Sequence, residues 1–229
     1  MEYRVEKKFL ISDRQIHILT AKLKTVMQSD ANQQGTAYLI RSLYFDDIFD
    51  SCMQENESGV DQRSKFRLRL YQPSAEKIFL ENKEKFLGYT KKTRNIVTRQ
   101  ECLQLMSGKP LAFDQRAVAN LLSVAMKTRH MMPKAVIEYQ RTAFVYPLGN
   151  VRITFDQDIS VSRQCGEFMD ENLSYKISVL PQGMHILEVK YDEFLPDFIA
   201  QLLEDGNLTQ TAFSKYYLGR LAMDGEFVY

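Results

Sequence analysis

Two neighbouring segments of the chain alternate basic and apolar residues, and this alternation limits the fold more than any other feature. Residues 65–71 read Lys-Phe-Arg-Leu-Arg-Leu-Tyr, and residues 77–85 read Lys-Ile-Phe-Leu-Glu-Asn-Lys-Glu-Lys. Because alternate side chains of a β-strand share a face, each segment predicts a strand with one charged and one apolar face. Turn residues at 72–75 predict that the two strands are adjacent. Together they predict a sheet with one strongly basic face, which would bind a polyanion.

The positive charge is concentrated in this part of the chain. The 229 residues have a formal net charge of +1, whereas residues 62–94 contain ten Lys or Arg and three acidic residues. A general nucleic-acid binder is expected to be basic overall, with a pI above about 9, and this chain has a pI of about 7.7. The basic residues also alternate with apolar ones, whereas a single-stranded nucleic-acid binder should interleave them with exposed aromatics. We therefore predict no nucleic acid among the partners.

Features outside the basic segment predict a cytoplasmic protein. The cysteines Cys52, Cys102 and Cys165 form no CxxC pair, and an odd, unpatterned set is typical of a reducing compartment. The N-terminal residues lack the apolar stretch of a signal peptide. No apolar run is long enough to span a bilayer, so a membrane role would require a partner protein. The oligomeric state is not determined by these features.

The same two-faced alternation recurs along the chain and predicts eight strands. Besides the two above, they lie at residues 2–11, 37–46, 89–96, 135–144, 151–156 and 185–191. Capping boxes at Ser12–Gln15 and Thr98–Glu101 predict the starts of two helices. The second of these and a helix at 114–127 form a helical insertion at about 98–128. Further helices are predicted within 47–61, at 195–203 and at 212–221.

Strands with one charged and one apolar face can assemble in two ways. In a sandwich the apolar faces meet and the charged faces are solvated. In a closed barrel the charged faces can surround a lumen while amphipathic helices cover the apolar outside. The amphipathic helices favour the barrel. We predict an α+β fold in one domain over residues 1–229, built on an eight-stranded antiparallel β-barrel with a polar, basic lumen and helices packed on the outside.

Eight short motifs occur in the order found in a known family. They are Arg4-x-Glu6-x-Lys8, Ser42-Leu43-Tyr44-Phe45-Asp46, Lys65-x-Arg67-x-Arg69-x-Tyr71, Leu80-Glu81-x-Lys83, Tyr139-x-Arg141, Arg152-x-Thr154-x-Asp156, Leu187-Glu188-x-Lys190 and Ser214-Lys215-Tyr216. Each motif alone is a few residues at strand spacing, but the series covers almost the whole chain. It resembles the polyphosphate polymerase domain of the vacuolar transporter chaperone (VTC) family. The resemblance implies a triphosphate tunnel fold, whose lumen binds a nucleotide triphosphate with a divalent metal.

The resemblance also implies roles for individual residues. The expected catalytic cations are Lys8, Arg67, Arg69, Lys83 and Arg141. The expected substrate-binding residues are Lys92, Arg94, Tyr139, Lys190 and Lys215. Glu188 resembles the family's metal-coordinating carboxylate, and Glu6 is a second candidate ligand for Mn²⁺ or Mg²⁺. The carboxylates of Glu6, Glu81 and Asp156 have two interpretations, because they can assist the metal or pair with neighbouring cations.

At one position the sequence differs from that of a related group, and this difference bears on which activity is expected. The CYTH group, which contains triphosphatases and class IV adenylyl cyclases, has a Glu-x-Glu-x-Lys signature near its start, and here Arg4 stands at the first position. A metal site would thus have one acid fewer, and because this substitution follows the pattern of the polymerase family, the resemblance favours polymer synthesis over triphosphate hydrolysis. The resemblance thus implies that the γ-phosphate of ATP is transferred to a growing polyphosphate chain. A tunnel triphosphatase and a non-catalytic polyphosphate- or nucleotide-binding module are the alternatives.

Overall fold

The computed structural model describes residues 5–31, 33, 35–72, 76–86, 89–204 and 208–227. Within these ranges eight long strands run β1 (Val5–Ser12), β3 (Tyr38–Asp46), β4 (Arg63–Tyr71), β5 (Ile78–Phe86), β6 (Tyr89–Val97), β7 (Met132–Tyr146), β8 (Val151–Ser162) and β10 (Met184–Tyr191). Three two-residue strands are β2 (Gln28–Ser29), β9 (Ile177–Ser178) and β11 (Thr209–Gln210). The helices are α1 (Asp13–Leu23), α2 (Ser51–Glu57), α3 (Arg99–Met106), α4 (Ala117–Thr128), α5 (Asp197–Glu204) and α6 (Lys215–Met223).

The predicted strands and the two predicted capping boxes are confirmed where they can be compared. Both capping boxes form: the backbone N–H of Gln15 donates to Ser12 Oγ, and that of Glu101 donates to Thr98 Oγ1. The strands β7 and β8 are longer than predicted, because they pair with each other from Val136 to Tyr146. Arg4, the first residues of the first predicted strand and most of the predicted turn at 72–75 lie outside the described residues.

The long strands form one antiparallel sheet that is open. Its strand order is β11-β1-β10-β8-β7-β3-β4-β5-β6, with β2 beside β7 and β9 beside β8. Over the described ranges no hydrogen-bonded ladder joins β6 to β1 or β11, so the predicted closed barrel is not confirmed. Closure depends on strand tilt and stagger, which must match around the whole circle. Alternation within single strands does not specify them.

The open sheet is nevertheless strongly curled. In the strand order β1 and β5 are six steps apart, which would separate them by about 29 Å in a flat sheet. Lys83 Nζ on β5 lies 3.7 Å from Glu6 Oε2 on β1. The sheet therefore wraps around a space on its concave face, and the charged side chains of opposite ends meet there.

The apolar face of the sheet is convex, and four helices pack on it. Ile16 of α1 and Ile199 of α5 share a buried cluster with Phe155 and Leu187. Helices α3 and α4 pack in the larger cluster, which includes Leu68 and Leu80.

In the described part of the chain, no helix has the length and hydropathy needed to cross a membrane.

Helix α6 departs from the prediction that helices pack on the outside. A Cβ at Gly219 would lie 2.5 Å from Ile137 Cδ1 and 3.3 Å from Val161 Cγ2, so the helix packs closely on these two strand residues. Ile137 shares its strand face with Tyr139, which lines the concave space. Helix α6 thus lies against the concave face and closes part of it, carrying Lys215 into the site.

Candidate functional site

The concave face encloses a cavity of about 680 Å³. Strand alternation directs charged side chains from β1, β4, β5, β7 and β10 into it, and the start of α6 adds more. Of the predicted site residues, those that line it are Glu6, Lys8, Arg67, Arg69, Lys83, Tyr139, Arg141, Glu188, Lys190 and Lys215. The structure therefore brings together ten of the twelve side chains named from the sequence.

One group of cations is organised by the buried carboxylate of Glu81, whose side chain is 1% exposed. Arg67 Nε donates to Glu81 Oε2 at 2.8 Å, and Lys92 Nζ lies 2.5 Å from Oε1. Arg69 Nη1 lies 3.7 Å from Oε2. Burial raises the pKa of Glu81, but Arg67, Arg69 and Lys92 outweigh it and lower the pKa to about 2. Glu81 therefore stays ionised and fixes the cations, as the ion-pairing interpretation predicts.

A second group is organised by Asp156, whose side chain has no exposed surface. Arg141 donates to both of its oxygens, at 2.5 and 2.6 Å. Lys215 Nζ lies 2.6 Å from Oδ2. Burial raises the pKa of Asp156, yet Arg141 and Lys215 lower it overall. This carboxylate is fully occupied by two cations that also line the cavity, which again fits the pairing interpretation.

The third group contains the two carboxylates expected to bind metal. Lys8 Nζ lies 3.1 Å from Glu6 Oε1 and 3.9 Å from Glu188 Oε1. Lys190 Nζ lies 3.5 Å from Glu6 Oε2 and 3.2 Å from Glu188 Oε2. Burial raises the pKa of Glu188, but Lys190, Lys8, Lys215 and Arg141 hold it well below its usual range. Two carboxylates thus face the cavity and share the same two lysines.

This donor set fits a metal that the substrate helps to bind. The described residues contain no cluster of three acidic, histidine or cysteine side chains able to hold a metal alone. Mg²⁺ commonly binds through one or two carboxylates together with substrate phosphates and water. Glu188 and Glu6 supply that number of protein ligands. When phosphates enter, Lys8 and Lys190 can turn from the carboxylates to the phosphate oxygens.

Two predicted residues lie outside the lining of the cavity. Lys92 is about 40% exposed and reaches the site only through Glu81. Arg94 is exposed, and its guanidinium lies 5.0 Å from the ring centroid of Phe79. Arg94 is directly opposite Glu81 in the β5–β6 pairing, but its guanidinium stacks on Phe79 and does not line the cavity.

The predicted site residues leave out several residues that line the cavity, among them Tyr44 and Lys65. Arg67 Nη1 donates to Tyr44 Oη at 2.8 Å. Lys65 Nζ donates to Asn56 Oδ1 at 2.9 Å, and no carboxylate in the described ranges pairs with it. Both could have been found from strand parity, because Lys65 shares a face with Arg67, and Tyr44 is directly opposite Arg67 in the β3–β4 pairing.

The end of β3 and the start of α6 are joined by a buried hydrogen-bond network. Tyr216 Oη donates to Asp46 Oδ2 at 2.6 Å, and Arg220 Nη1 donates to Tyr216 Oη at 2.9 Å. The ring of Tyr216 stacks on Tyr44, with centroids 5.1 Å apart. Since Lys215 precedes Tyr216, this network holds the lysine in the cavity and fixes Tyr44 beside it.

We expect the affinity of the site for inorganic tripolyphosphate to fall by about tenfold as the pH rises through 8. Burial lowers the pKa of Lys65 to about 8. Burial raises the pKa of Tyr44, but Arg67 and Arg69 bring it down to about 8. Above this pH the lysine loses a positive charge and the phenol gains a negative one, and both changes oppose anion binding.

Titration calorimetry below and above pH 8 measures this dependence. The pKa of Lys92 is also lowered to about 8, mainly by burial, so three groups contribute. The double variant Tyr44→Phe/Lys65→Arg should show a shallower dependence than the wild type. An affinity that is constant across this range in the wild type would contradict the charge assignment.

The fold of this chain, an antiparallel sheet curled around a cationic cavity, resembles that of several solved structures. The chain is 13% identical to a proposed adenylate cyclase from Bacillus halodurans, with a TM-score of 0.55 over 93% of this chain and 94% of that one. It is 13% identical to HpAC1 from Hippeastrum, a proposed adenylyl cyclase with a dominant triphosphatase activity, with a TM-score of 0.56 over 100% and 98%. The PH1819 protein of Pyrococcus horikoshii OT3 is also 13% identical, with a TM-score of 0.51 over 97% and 99%.

These low identities show a common fold, and the sequence itself gives the family. A family model of the VTC domain matches residues 3–223. The chain belongs to the VTC domain family. Comparison with curated protein sequences gives no match.

Proposed function

We propose that this protein is a divalent-metal-dependent polyphosphate polymerase that transfers the γ-phosphate of ATP to a polyphosphate chain in its cavity. The observation that carries this proposal is a ladder of cations longer than a triphosphate. Along β4, Arg63, Lys65, Arg67 and Arg69 all line the cavity. They span six residue steps, or about 20 Å of strand. A triphosphate has only two P–O–P links, so it cannot contact the whole ladder.

The outer part of this ladder has like charges in direct opposition. Lys65 of β4 is directly opposite Lys83 of β5, and Lys83 is directly opposite Lys92 of β6. Arg63 pairs with Lys85 in the next outward position on the same face. Like charges directly opposite on a sheet are destabilising. An arrangement that carries this cost without a ligand is well suited to a bound polyanion that extends beyond the inner arginines.

In the proposed reaction the protein contributes position and charge. A terminal oxygen of the polyphosphate chain forms a bond to the γ-phosphorus of ATP, and the bond from that phosphorus to the β,γ-bridging oxygen breaks with its electron pair going to ADP. No proton is transferred, since the acceptor oxygen is already ionised. Arg67, Arg69 and Arg141 neutralise the phosphoryl group in transfer, and Lys8, Lys83, Lys190 and Lys215 bind the flanking phosphates.

Bound Mn²⁺ or Mg²⁺ would add further charge neutralisation at the phosphate oxygens. Glu188 and Glu6 are the residues proposed to hold it.

Tyr139 lies between Arg141 and Lys215, with their cationic groups 5.3 and 4.8 Å from its ring centroid. Its hydroxyl is proposed to donate to a phosphate oxygen.

Triphosphate hydrolysis is the second candidate function. HpAC1, which shares the fold, is described by a dominant triphosphatase activity. The two activities differ only in the acceptor, which is water in one case and a phosphate chain in the other. The cations beyond the inner arginines are Arg63, Lys65 and Lys85. They favour a polyphosphate chain as the acceptor, because hydrolysis needs no cations beyond those that bind the triphosphate.

Product analysis after incubation with ATP and Mn²⁺ tests the proposal. We expect acid-stable phosphate polymer and ADP from the wild type. Glu188→Ala should yield less than about 1% of that polymer, because loss of a metal carboxylate and of the partner of Lys8 and Lys190 removes a large electrostatic contribution. Asp192→Ala, which changes a carboxylate just beyond the same strand, serves as the control. Orthophosphate and ADP without polymer would replace the polymerase with the triphosphatase.

A further inference from the structure

Three aromatic side chains form a cluster on the concave face. The ring centroids of Tyr38 and Tyr71 are 6.2 Å apart, and those of Tyr71 and Phe79 are 5.9 Å apart. Tyr38 is buried, whereas Tyr71 and Phe79 are partly exposed. We call Tyr38, Tyr71 and Phe79 the aromatic cluster. Its two outer rings are accessible, so it is more than part of the core.

The aromatic cluster adjoins the arginines that are proposed to bind phosphate. Phe79 is directly opposite Arg69 in the β4–β5 pairing, and Tyr38 is directly opposite Arg141 in the β3–β7 pairing. Directly opposed residues have Cα atoms about 5 Å apart and point to the same face. A group bonded to the phosphate that lies between Arg69 and Arg141 therefore meets the cluster first.

Arg94 extends this surface. Its exposed guanidinium lies over the ring of Phe79, and no carboxylate in the described ranges forms an ion pair with it. An exposed arginine stacked on an aromatic ring offers a second flat, cationic surface. Nucleobases stack on both aromatic rings and guanidinium planes.

The aromatic cluster lies on the concave face beside the cavity lining, and the end of the cavity away from it has different chemistry. Lys7, Arg63 and Lys85 line it without an exposed aromatic ring among the described lining residues. Tyr44 and Tyr216 are buried and stacked on each other. The two ends of the concave face therefore differ: one carries the aromatic cluster and Arg94, and the other carries basic residues with the uncharged Asn56 and Thr90.

We propose that the aromatic cluster and Arg94 bind the base of a nucleotide whose phosphates lie among Arg67, Arg69 and Arg141. This inference rests on the proposed function for its choice of a nucleotide as phosphate donor. It fixes the direction of the donor: the base lies at the aromatic end, and the γ-phosphate points towards Lys65 and Lys83, where the polymer extends. Arg94, expected from the sequence to bind substrate, acts on the base.

Comparison of ATP with inorganic tripolyphosphate tests this proposal, because both carry three phosphates and only ATP has a base. Calorimetric binding is measured with metal chelated, so that no turnover occurs. In Phe79→Ala we expect ATP to bind about 5- to 150-fold more weakly, since stacking contributes about 1–3 kcal/mol per base. Tripolyphosphate affinity should stay within about twofold of the wild-type value. Arg94→Ala should show the same selectivity with a smaller loss.

Two controls keep the result interpretable. Phe86→Ala removes an exposed ring from the other face of β5 and should change neither affinity. If Phe79→Ala does not fold, Phe79→Leu keeps the apolar volume and removes the π surface. Equal weakening of ATP and tripolyphosphate would assign Phe79 a purely structural role and overturn the proposal, as would no change in either affinity. Absence of polymer synthesis would overturn the proposed function alone, because the comparison of the two ligands needs no turnover.

Discussion

Replacing Asp156 by Asn is expected to lower the free energy of unfolding by about 3–5 kcal/mol, the effect of removing one partner from a buried ion pair. Asp156 has no exposed surface and pairs with Arg141 and Lys215 at 2.5 to 2.6 Å. Asparagine keeps the volume but removes the negative charge. Two cations then remain buried on the concave face without their common partner.

Urea unfolding at neutral pH measures the loss. Asp158→Asn is the matched control, because Asp158 lies on the same strand, is exposed, and has a positive φ of 53° that asparagine tolerates. It should change the unfolding free energy by less than about 0.5 kcal/mol. Similar losses in the two variants would contradict the central role of Asp156.

The variant should also respond differently to acid and to anions. The pKa of Asp156 is lowered in the folded state, so its contribution is present above the unfolded-state pKa of about 3.9 and is lost as the pH falls through the folded value. The Asn variant should therefore lose less stability than the wild type below about pH 4. Added tripolyphosphate should stabilise it more than the wild type, because the ligand supplies the missing negative charge.

Replacing Arg67 by Ala is expected to lower kcat for polymer synthesis by about 10²- to 10³-fold, the usual effect of removing one preorganised charge-stabilising donor. Arg67 donates to both Glu81 and Tyr44, so its guanidinium is fixed before substrate arrives. Arg67→Lys keeps the charge but loses the planar set of donors, and it should recover only part of the rate. Lys91→Ala, an exposed change on the same sheet, should leave kcat unchanged.

A structural effect of this change can be separated from a catalytic one. Arg67→Ala leaves the buried carboxylate of Glu81 with fewer partners, which should also destabilise the protein. The double variant Arg67→Ala/Glu81→Gln also removes the carboxylate that Arg67 contacts, although Arg69 and Lys92 then lose their shared partner, and its kcat should stay low. Recovery of kcat in the double variant would show that Arg67 acts by supporting the fold.

The local elements were predictable because their signals are local. Alternation in 65–71 and 77–85 depends only on the two-residue period of a strand, and the capping boxes at Ser12 and Thr98 depend only on residues three apart. The same periodicity placed Arg67, Arg69, Lys83 and Glu188 on the charged faces. The same parity placed Lys65 on the basic face, although it was not named as a site residue, and parity applied to the phenolic residues of β3 would also have found Tyr44.

Other features depend on contacts between distant parts of the chain. Lys92 and Arg94 share a strand face, but the position of β6 at the sheet edge directs them to Glu81 and to the ring of Phe79. The position of α6 on the concave face depends on its packing against Ile137 and Val161, which no helical periodicity reveals.

The sequence by itself determined that this chain would build two-faced strands with a concentrated basic face, since that follows from the order of charged and apolar residues. Only the tertiary structure decided which charges meet. Glu81 and Asp156 became the buried partners of the arginines, and Glu6 and Glu188 came to share Lys8 and Lys190, because the sheet curls until β1 approaches β5. That curl is set by twist and packing summed over the whole sheet, and no single segment encodes it.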